Sequence, residues 1–228
     1  MNMEKDLNRT FVSTVNLPGD AKKYFMEETE EYKEAMMKYS CAIKEVKTKL
    51  EVLNEELAVK RSNSPIEFIK SRLKKPESIA AKLEKLGLEV SVQSAMDNLN
   101  DIAGIRIVCS FLDDIYALAK MIAKQDDINV IAVKDYIRTP KENGYRSYHM
   151  IVEIPVFFSD KKQYLRVEIQ IRTIAMDFWA TLEHQLKYKK DVVDAQTIIT
   201  ELKECATLIS YTDMKMQEIK DKIHSVEE

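Results

Sequence analysis

The sequence predicts an α+β protein in which helices flank a small mixed β-sheet and long helices lie at both ends of the chain. Two observations predict this class. Short β-branched or alternating runs crowd between residues 101 and 172, and apolar residues at helical spacing occupy the segments on either side. A sheet of this kind buries its apolar face only when helices pack on it, which is the α+β arrangement.

The composition is that of a soluble globular protein. Of 228 residues, 45% are hydrophobic and 32% are charged. No apolar stretch approaches the roughly 20 residues of a membrane span, and the N-terminus mixes charges without the apolar centre of a signal peptide. We therefore expect a cytoplasmic protein with no membrane partner. The net charge of −3 gives no general attraction to DNA or RNA, so any polyanion site must be local.

The cysteines argue against a covalent or metal framework. Cys41, Cys109 and Cys205 lie far apart, and no Cys-x-x-Cys spacing occurs. An odd and scattered set is typical of reduced thiols, not of a disulfide framework or a zinc site.

The N-terminal part divides into two segments. Residues 16–20 read Asn-Leu-Pro-Gly-Asp, a turn signal, so residues 1–20 are predicted to be a flexible segment and residues 21–61 a helical extension. Eight residues of the extension alternate spacings of four and three, as in a heptad-like stripe. They are Tyr32, Met36, Tyr39, Ile43, Val46, Leu50, Leu53 and Leu57. Such a stripe either packs on its own domain or contacts another subunit.

Residues 62–190 are predicted to form the core domain. Ser62-Asn63-Ser64-Pro65 supplies a helix start, so a short helix is expected through Ile69, and a second helix over residues 76–87. Four strands are expected at 105–109, 130–133, 148–157 and 164–172, with a helix at 114–125. Thr173 is expected to cap a helix that runs to about residue 189, and a last amphipathic helix lies within 191–228.

The last predicted strand separates apolar from polar residues. Every second residue is apolar, which places Leu165, Val167, Ile169 and Ile171 toward the core. The opposite face carries Arg166, Glu168, Gln170 and Arg172. Alternation alone is also typical of an ordinary solvent-facing strand.

Two acidic residues are candidate metal ligands. Asp101 lies just before the first predicted strand, where Gly104 permits close backbone approach. Asp101 and Glu168 can converge at one end of the sheet, and carboxylates with open coordination positions suit Mg²⁺ bridged to nucleotide phosphates. Each acid taken singly is more typical of a surface position, so the metal interpretation depends on a phosphate site nearby.

A basic segment upstream offers such a site. Lys74 precedes the second predicted helix, Ser78 lies in its first turn, and Lys82 lies one turn later on the same face. Free N–H groups and the positive dipole end make a helix N-terminus favourable for phosphates. The planar guanidinium groups of Arg72 and Arg106 can stack on a purine ring. A solvated basic face is the alternative.

The segment 141–149, Lys-Glu-Asn-Gly-Tyr-Arg-Ser-Tyr-His, joins the second and third predicted strands through an Asn-Gly turn. It presents the aromatic ring of Tyr145 beside Lys141 and His149. An aromatic ring surrounded by hydrogen-bonding side chains can form a guanine pocket. His149 can equally be an ordinary histidine of a strand.

Together these motifs carry a family resemblance. In order, the matching segments are 72–82 (Arg-x-Lys-x-x-x-Ser-x-x-x-Lys), 101–106 (Asp-Ile-Ala-Gly-Ile-Arg), 143–149 (Asn-Gly-Tyr-Arg-Ser-Tyr-His), 167–173 (Val-Glu-Ile-Gln-Ile-Arg-Thr), Trp179, Glu183-His184 and Tyr188-Lys189. Over residues 64–190 the chain resembles the synthetase domain of RelA/SpoT-type (p)ppGpp enzymes, with a nucleotidyltransferase-like core. With both helical ends it resembles a stand-alone small alarmone synthetase, nearer to the RelP type than to the RelQ type.

The resemblance implies roles for the residues that would bind ATP, the pyrophosphate donor. Arg72 and Arg106 would sandwich the adenine of ATP. Lys74, Ser78 and Lys82 would hold its phosphates.

On the acceptor side, the resemblance implies that Asp101 and Glu168 bind Mg²⁺ and that Glu168 also takes the proton of the 3′-hydroxyl group. Tyr145 would stack on guanine. The residues implied to assist it are Lys141, Asn143, His149 and Gln170.

The implied reaction transfers pyrophosphate from ATP to the 3′-hydroxyl of GDP, GTP or GMP and releases AMP. The products ppGpp, pppGpp and pGpp are alarmones of the stringent response. Hydrolysis is not expected, because none of the three histidines, His149, His184 and His224, is followed by the aspartate of the family's hydrolase motif.

Two other functions stay open at this point. Some small relatives with the same fold modify adenosine nucleotides or tRNA, and an inactive RNA-binding scaffold would keep the fold without the activity. Relatives are often homotetramers, and a regulatory alarmone near Glu67 and Phe68 or single-stranded RNA are further expected partners. The sequence does not decide the preferred acceptor or the oligomeric state.

Overall fold

The computed structural model describes residues 29–61, 64–187 and 195–227. The helices of this part are α1 (Glu30–Arg61), α2 (Pro76–Lys85), α3 (Val92–Asn98), α4 (Leu112–Ala123), α5 (Ile174–Lys187) and α6 (Ala195–Glu227). Its strands are β1 (Ile66–Leu73), β2 (Ala103–Cys109), β3 (Asn129–Asp135), β4 (Tyr148–Phe157) and β5 (Lys162–Thr173). The predicted flexible segment 1–20, the predicted helix start at Ser62-Asn63 and the motif residues Tyr188-Lys189 lie outside the described residues.

The five strands form one mixed sheet in the order β1-β2-β5-β4-β3. Strands β2 and β5 run parallel, and the other neighbouring pairs are antiparallel. The alternation predicted for β5 is confirmed, because Leu165, Val167, Ile169 and Ile171 are all buried. Helix α4 packs against β2 and β5. The predicted α+β class is therefore confirmed.

The chain folds as two compact units. The first comprises the residues up to 37 and residues 74–99, and it contains α2 and α3. Buried Ile79 and Leu83 on α2 and Val92 and Ala95 on α3 form its apolar part. The second unit comprises residues 38–73 and the chain from residue 100 onward, and it contains the whole sheet with α4, α5 and α6. The sequence-based division at residues 20, 61 and 190 stays a prediction.

The segment Ile66–Leu73 forms strand β1, where a short helix was predicted. The short helix expected through Ile69 is wrong, because Ile66–Leu73 is an edge strand paired antiparallel with β2 from Ile66 opposite Cys109 to Leu73 opposite Ala103. A helix of five residues would be marginal by itself, whereas the β-branched segment satisfies its backbone groups on β2. The local proline signal is overridden by this pairing.

The remaining boundaries follow local signals. Strand β4 has the predicted limits, and α2 begins at Pro76 as predicted. Thr173 caps α5 as expected, with its Oγ1 accepting the Met176 N–H at 3.1 Å. Helix α3 was not predicted, although Ser91 caps it by accepting the Ser94 N–H at 3.1 Å.

The stripe of α1 is largely covered within the chain. Tyr32, Tyr39, Ile43, Val46, Leu50 and Leu57 are buried, and Met36 and Leu53 are partly buried. Of the two interpretations of the stripe, packing on its own chain is the one this burial supports.

All three cysteines are free, as predicted. Cys109 on β2 is fully buried, and burial, reinforced by Asp114 and Glu67, raises the pKa of its thiol to about 12. None of the helices in the described residues combines the length and the apolar character that a membrane span requires.

Two glycines with positive φ differ in their surroundings. Gly87 has φ +69° and open space around the position of a Cβ, whereas a Cβ at Gly144, with φ +88°, would lie 2.5 Å from the Cβ of Ala206. Both positions therefore disfavour a side chain for backbone reasons, but only Gly144 adds a steric clash.

We expect Gly87→Ala to lower the free energy of unfolding by about 1 kcal/mol. Gly144→Ala should lower it by at least about 2 kcal/mol, because the backbone cost is joined by overpacking against α6. Urea denaturation of both variants measures the difference. Equal losses would contradict the contact between Gly144 and Ala206.

Candidate active site

One face of the sheet carries a continuous row of polar residues. The strand register aligns Lys70 with Arg106, Arg106 with Gln170, and Gln170 with His149, so the row runs from β1 to β4. Side chains at aligned positions of neighbouring strands point to the same face. Motif residues that lie far apart in the sequence are thereby gathered on one surface of the second unit.

Next to this row, Gly104 leaves an opening in the surface. It is paired with Arg72 on one side and with Glu168 on the other. A Cβ at Gly104 would lie 3.6 Å from the Cγ of Arg72, so the arginine side chain crosses over the glycine. The missing side chain therefore leaves room on the sheet between Arg72 and Glu168.

This opening belongs to a cleft of about 220 Å³ at the β1–β2 edge. The cleft is lined by Lys70, Ser71, Arg72, Gly104, Ile105, Arg106 and Gln170. Three cationic side chains favour an anionic ligand with a flat, polarisable part, since guanidinium groups stack on planar rings.

Arg106 is held at the rim of this cleft. Its Nη1 lies 3.2 Å from Oδ1 of Asp177, and its buried Nε has no hydrogen-bond partner among the described residues. Burial, followed by the neighbouring charge of Arg172, lowers the pKa of Arg106, and Asp177 opposes this shift. The guanidinium is thus partly stripped of water and tethered at one end, so its planar face stays available.

Both carboxylate oxygens of Glu168 have partners on this face. Its Oε1 lies 3.3 Å from Nδ1 of His149, and its Oε2 accepts a hydrogen bond of 2.8 Å from Nε2 of Gln170. Burial pushes the pKa of Glu168 upward, but the hydrogen bonds and charge of His149 and the bond from Gln170 outweigh it and leave the pKa lowered. Glu168 is therefore an ionised carboxylate at neutral pH.

The second nitrogen of His149 orients the imidazole ring. Nε2 lies 2.9 Å from the hydroxyl of Tyr145. Because the carboxylate of Glu168 can only accept, Nδ1 of His149 carries a proton and donates to it. When the imidazole is neutral, the hydroxyl of Tyr145 donates to Nε2. Tyr136 packs edge-on against the His149 ring at a centroid distance of 5.2 Å. The role of His149 in nucleotide binding stays a prediction.

Asp101 lies two residues before β2 and is partly buried. Its negative charge contributes an upward pull to the pKa of Glu168, so the two carboxylates are close enough to interact. Among the described residues, no group of three or more His, Cys, Asp or Glu side chains is arranged to hold a metal ion. Two converging carboxylates suit Mg²⁺, which in nucleotide sites takes its remaining ligands from phosphate and water.

The candidate phosphate-binding residues Lys74, Ser78 and Lys82 lie in the first unit, whereas Arg72 and Arg106 lie in the second. The predicted helix is confirmed, with Ser78 in the first turn of α2 and Lys82 one turn later. The N–H of Ser78 bonds to the carbonyl of Lys75 at 2.9 Å. Their joint use with the two arginines stays a prediction.

The loop 136–147 connects β3 and β4, as the Asn-Gly signal predicted. Gly144 N–H donates to the carbonyl of Lys141 at 2.8 Å and closes a turn. Asn143 accepts the Tyr145 N–H at 3.2 Å and donates to Oε1 of Glu183 on α5 at 3.1 Å. The side chain of Asn143 therefore orders the loop itself.

The ring of Tyr145 is surrounded by cations. The ammonium group of Lys141 lies 4.8 Å from the ring centre, and the guanidinium carbon of Arg172 lies 5.1 Å from it. Lys141 is exposed, and its ammonium group is also 4.7 Å from the ring of Tyr136. Lys141 is exposed and can move away from the Tyr145 ring while it keeps its contact with the Tyr136 ring. This movement would free the face of Tyr145 for a nucleotide base.

A buried ion pair joins the parts of the site. Arg172 is only 4% exposed, and its Nη1 donates to Oδ1 of Asp177 at 3.0 Å. Its Nη2 donates to the hydroxyl of Tyr145 at 2.7 Å and to Oε1 of Gln170 at 3.2 Å. Oδ1 of Asp177 therefore bridges the guanidinium groups of Arg172 and Arg106.

No role was predicted from the sequence for Arg172, Asp177 or Tyr136. For Arg172 a signal existed, because it shares the polar face of β5 with Glu168 and Gln170. For Asp177 and Tyr136 no local pattern indicates that they meet the site, since their contacts are made across elements.

Comparisons with known proteins identify a matching family and similar solved structures. The family model described as "Region found in RelA / SpoT proteins" matches residues 71–193. The GTP pyrophosphokinase YwaC of Bacillus subtilis (strain 168) is 42% identical over 194 residues, which cover 85% of this chain and 92% of the relative.

Two solved structures are similar to this one. Small alarmone synthetase 1 from Bacillus subtilis bound to its product pppGpp has a TM-score of 0.78 and 34% identity, covering 86% of this chain and 99% of that chain. The same enzyme bound to AMPCPP has a TM-score of 0.73 and 31% identity, covering 86% and 100%.

The buried ion pair generates a stability prediction. Arg172→Leu removes one of the two guanidinium partners of Asp177 and the donor to three neutral groups, those of Tyr145, Ser147 and Gln170. We therefore expect a loss of about 3 kcal/mol in the free energy of unfolding. The control is Arg138→Leu, since the side chain of Arg138 is 79% exposed and pairs with Asp135 at 3.5 Å. That change should cost less than about 1 kcal/mol. Similar losses in denaturant titrations of both variants would argue against a buried structural pair.

Proposed function

Because the chain belongs to the family defined by the region found in RelA / SpoT proteins, we propose that it is a GTP pyrophosphokinase that synthesises alarmones. It transfers pyrophosphate from ATP to the 3′-hydroxyl of GDP, GTP or GMP and releases AMP. The observation that carries this proposal is the ionised Glu168, held by His149 and Gln170 beside the arginine-lined cleft.

The donor site is proposed at the cleft. Arg72 and Arg106 would enclose the adenine ring, because both guanidinium groups border an opening that Gly104 leaves free. Lys74, Ser78 and Lys82 would bind the phosphates at the N-terminal end of α2. A relative's structure with AMPCPP, an analogue of ATP, supports a donor site in this family.

The acceptor site is proposed at the loop 136–147. Tyr145 would stack on guanine, and the base would take the place of Lys141 over the ring. The remaining acceptor contacts are proposed for Asn143, His149 and Gln170. The relative that holds pppGpp supports an acceptor site for guanine nucleotides.

In the reaction, the 3′-oxygen forms a bond to the β-phosphorus of ATP, and the bond between that phosphorus and the α–β bridging oxygen breaks. AMP leaves with the bonding electron pair. Glu168 accepts the proton of the attacking hydroxyl, while His149 keeps the carboxylate oriented through Nδ1–H. The ionised state of Glu168 at neutral pH allows it to act as this base. Positioning of the two nucleotides supplies much of the remaining rate.

Asp101 and Glu168 would hold Mg²⁺, and the ion would offset charge on the transferred phosphates when bound. The fit rests on Glu168, which is aligned with Gly104 of the cationic cleft, and on the electrostatic interaction of Asp101 with Glu168.

We further propose a homo-oligomer, with the tetramer of the sequence analysis as the expected form. The stripe on α1 is buried in its own chain, but α5 and α6 expose large apolar side chains at helical spacing. On α5 these are Ile174, Phe178, Leu182 and Leu186, and on α6 they include Leu208, Tyr211, Met216, Ile219 and Ile223.

Other partners and the location are likewise proposals. The proposed substrates place the enzyme in the cytoplasm, and a regulatory alarmone or single-stranded RNA stay predictions as further ligands. Synthesis without hydrolysis is proposed because no histidine is followed by aspartate.

The activity is tested with γ-labelled ATP, Mg²⁺ and one acceptor at a time, namely GDP, GTP, GMP, ADP or tRNA, followed by ion-exchange separation. We expect labelled tetraphosphate or pentaphosphate with GDP or GTP, and one AMP for each product molecule. Transfer only to ADP or tRNA would instead support a relative that acts on other acceptors. No transfer to any acceptor would favour an inactive scaffold.

The role of Glu168 is tested by Glu168→Gln, which keeps the shape of the side chain but removes the base. We expect turnover to fall at least about 100-fold. The matched control is Glu153→Gln. Glu153 lies on β4, on the same face of the sheet as Glu168, and its ion pair with Arg166 is long, at 3.8 Å. The control should stay within about twofold of wild type, since such a pair contributes little. Wild-type turnover of Glu168→Gln, with an unchanged circular dichroism spectrum, would remove Glu168 from the mechanism.

A further inference from the structure

The C-terminal helix α6 supports the loop 136–147 from behind. At Gly144 the loop backbone approaches α6 so closely that a Cβ would lie 3.6 Å from Cα of Lys203 and 2.5 Å from Cβ of Ala206. Ala206 is only 5% exposed. Helix α6 and the loop are therefore in direct contact. Neither Gly144 nor Ala206 has space for a larger side chain.

The same part of α6 supports the ring of Tyr145. Trp179, Ala180 and Ala206 form a small buried cluster, and Tyr145 packs against it together with Leu202 and Ile209. This cluster is tied across the two helices, because the indole N–H of Trp179 on α5 donates to the carbonyl of Leu202 on α6 at 2.8 Å. The position of the Tyr145 ring thus depends on how closely α6 approaches.

At its other end, Tyr145 reaches the catalytic face. Its hydroxyl bonds to Nη2 of Arg172 at 2.7 Å and to Nε2 of His149 at 2.9 Å. A displacement of the ring by a few tenths of an ångström would lengthen both bonds, and hydrogen bonds weaken as the donor–acceptor distance grows. The proposed ATP site does not depend on α6 in this way, because none of the residues that line the cleft at the β1–β2 edge belongs to α6.

We propose that Ala206 is a positioning residue for the acceptor nucleotide, and that its small size sets the place of Tyr145 in the acceptor site. Residue 206 lies on α6, outside the residues 71–193 that match the family region. The inference rests on the proposed function, since it concerns the site assigned there to guanine. A side chain larger than alanine must push the loop at Gly144 and the ring of Tyr145 away from α6.

The test is Ala206→Val, measured by calorimetric titration with GDP and with AMPCPP and by steady-state kinetics. We expect the dissociation constant for GDP and the KM for the acceptor to rise about tenfold, because a displaced aromatic ring loses much of its stacking on the base. The dissociation constant for AMPCPP and the KM for ATP should remain within about twofold, because the cleft does not contact α6. A merely structural role would not separate the two substrates in this way.

The matched control is Cys205→Val, which places the same β-branched side chain on α6 at the neighbouring, exposed position. It should leave both affinities unchanged. Where Ala206→Val does not fold, Ala206→Ser supplies the smaller step and should raise the acceptor KM in the same direction. Equal GDP affinity of wild type and the folded variant, or a parallel rise for both nucleotides, would overturn the role of Ala206 alone. Failure of the wild-type protein to bind guanine nucleotides would overturn the proposed function and, with it, this inference.

Discussion

The buried guanidinium of Arg172 imposes a strict requirement on the fold. Removing an ion from water costs several kcal/mol, so such a group is retained only where a counter-charge and further acceptors meet it. Asp177 supplies the counter-charge from the first turn of α5, while Tyr145, Ser147 and Gln170 supply neutral contacts. The strand β5, the helix that follows it and the loop before β4 must therefore come together at one point.

The junction between β5 and α5 is built to meet this requirement. Thr173 follows Arg172 directly and caps the helix by accepting the Met176 N–H. Its hydroxyl also donates to the buried Asp213 on α6 at 2.7 Å. Burial raises the pKa of Asp213, and the bond from Thr173 and the charge of Arg146 work against that rise. The cap thus determines where Asp177 lies and ties α6 to the same junction.

This arrangement relates the two sides of the proposed reaction. Asp177 bonds to Arg106 at the donor cleft and to Arg172, and Arg172 bonds to Tyr145 in the loop proposed for the acceptor. From Tyr145 the hydrogen bonds continue through His149 to Glu168. Such a network holds its members in place because each side chain has its polar atoms satisfied in one geometry. Glu168, the proposed general base, is therefore oriented by residues that also contact both proposed nucleotide sites.

Periodicity along the chain was enough to predict most of the sheet. The limits of β4, the inward face of β5, the start of α2 at Pro76 and the cap at Thr173 all depend on neighbours within a few residues, which the sequence displays directly. The family motifs were likewise local, and they led to Glu168, Asp101 and the loop around Tyr145. The tertiary structure alone decided that β1 is a strand, because its backbone partners belong to β2. It also decided the partners of Arg172 and the contact of Gly144 with Ala206. These contacts join residues that are remote in the chain, and burial and shape determine them only after the elements have packed.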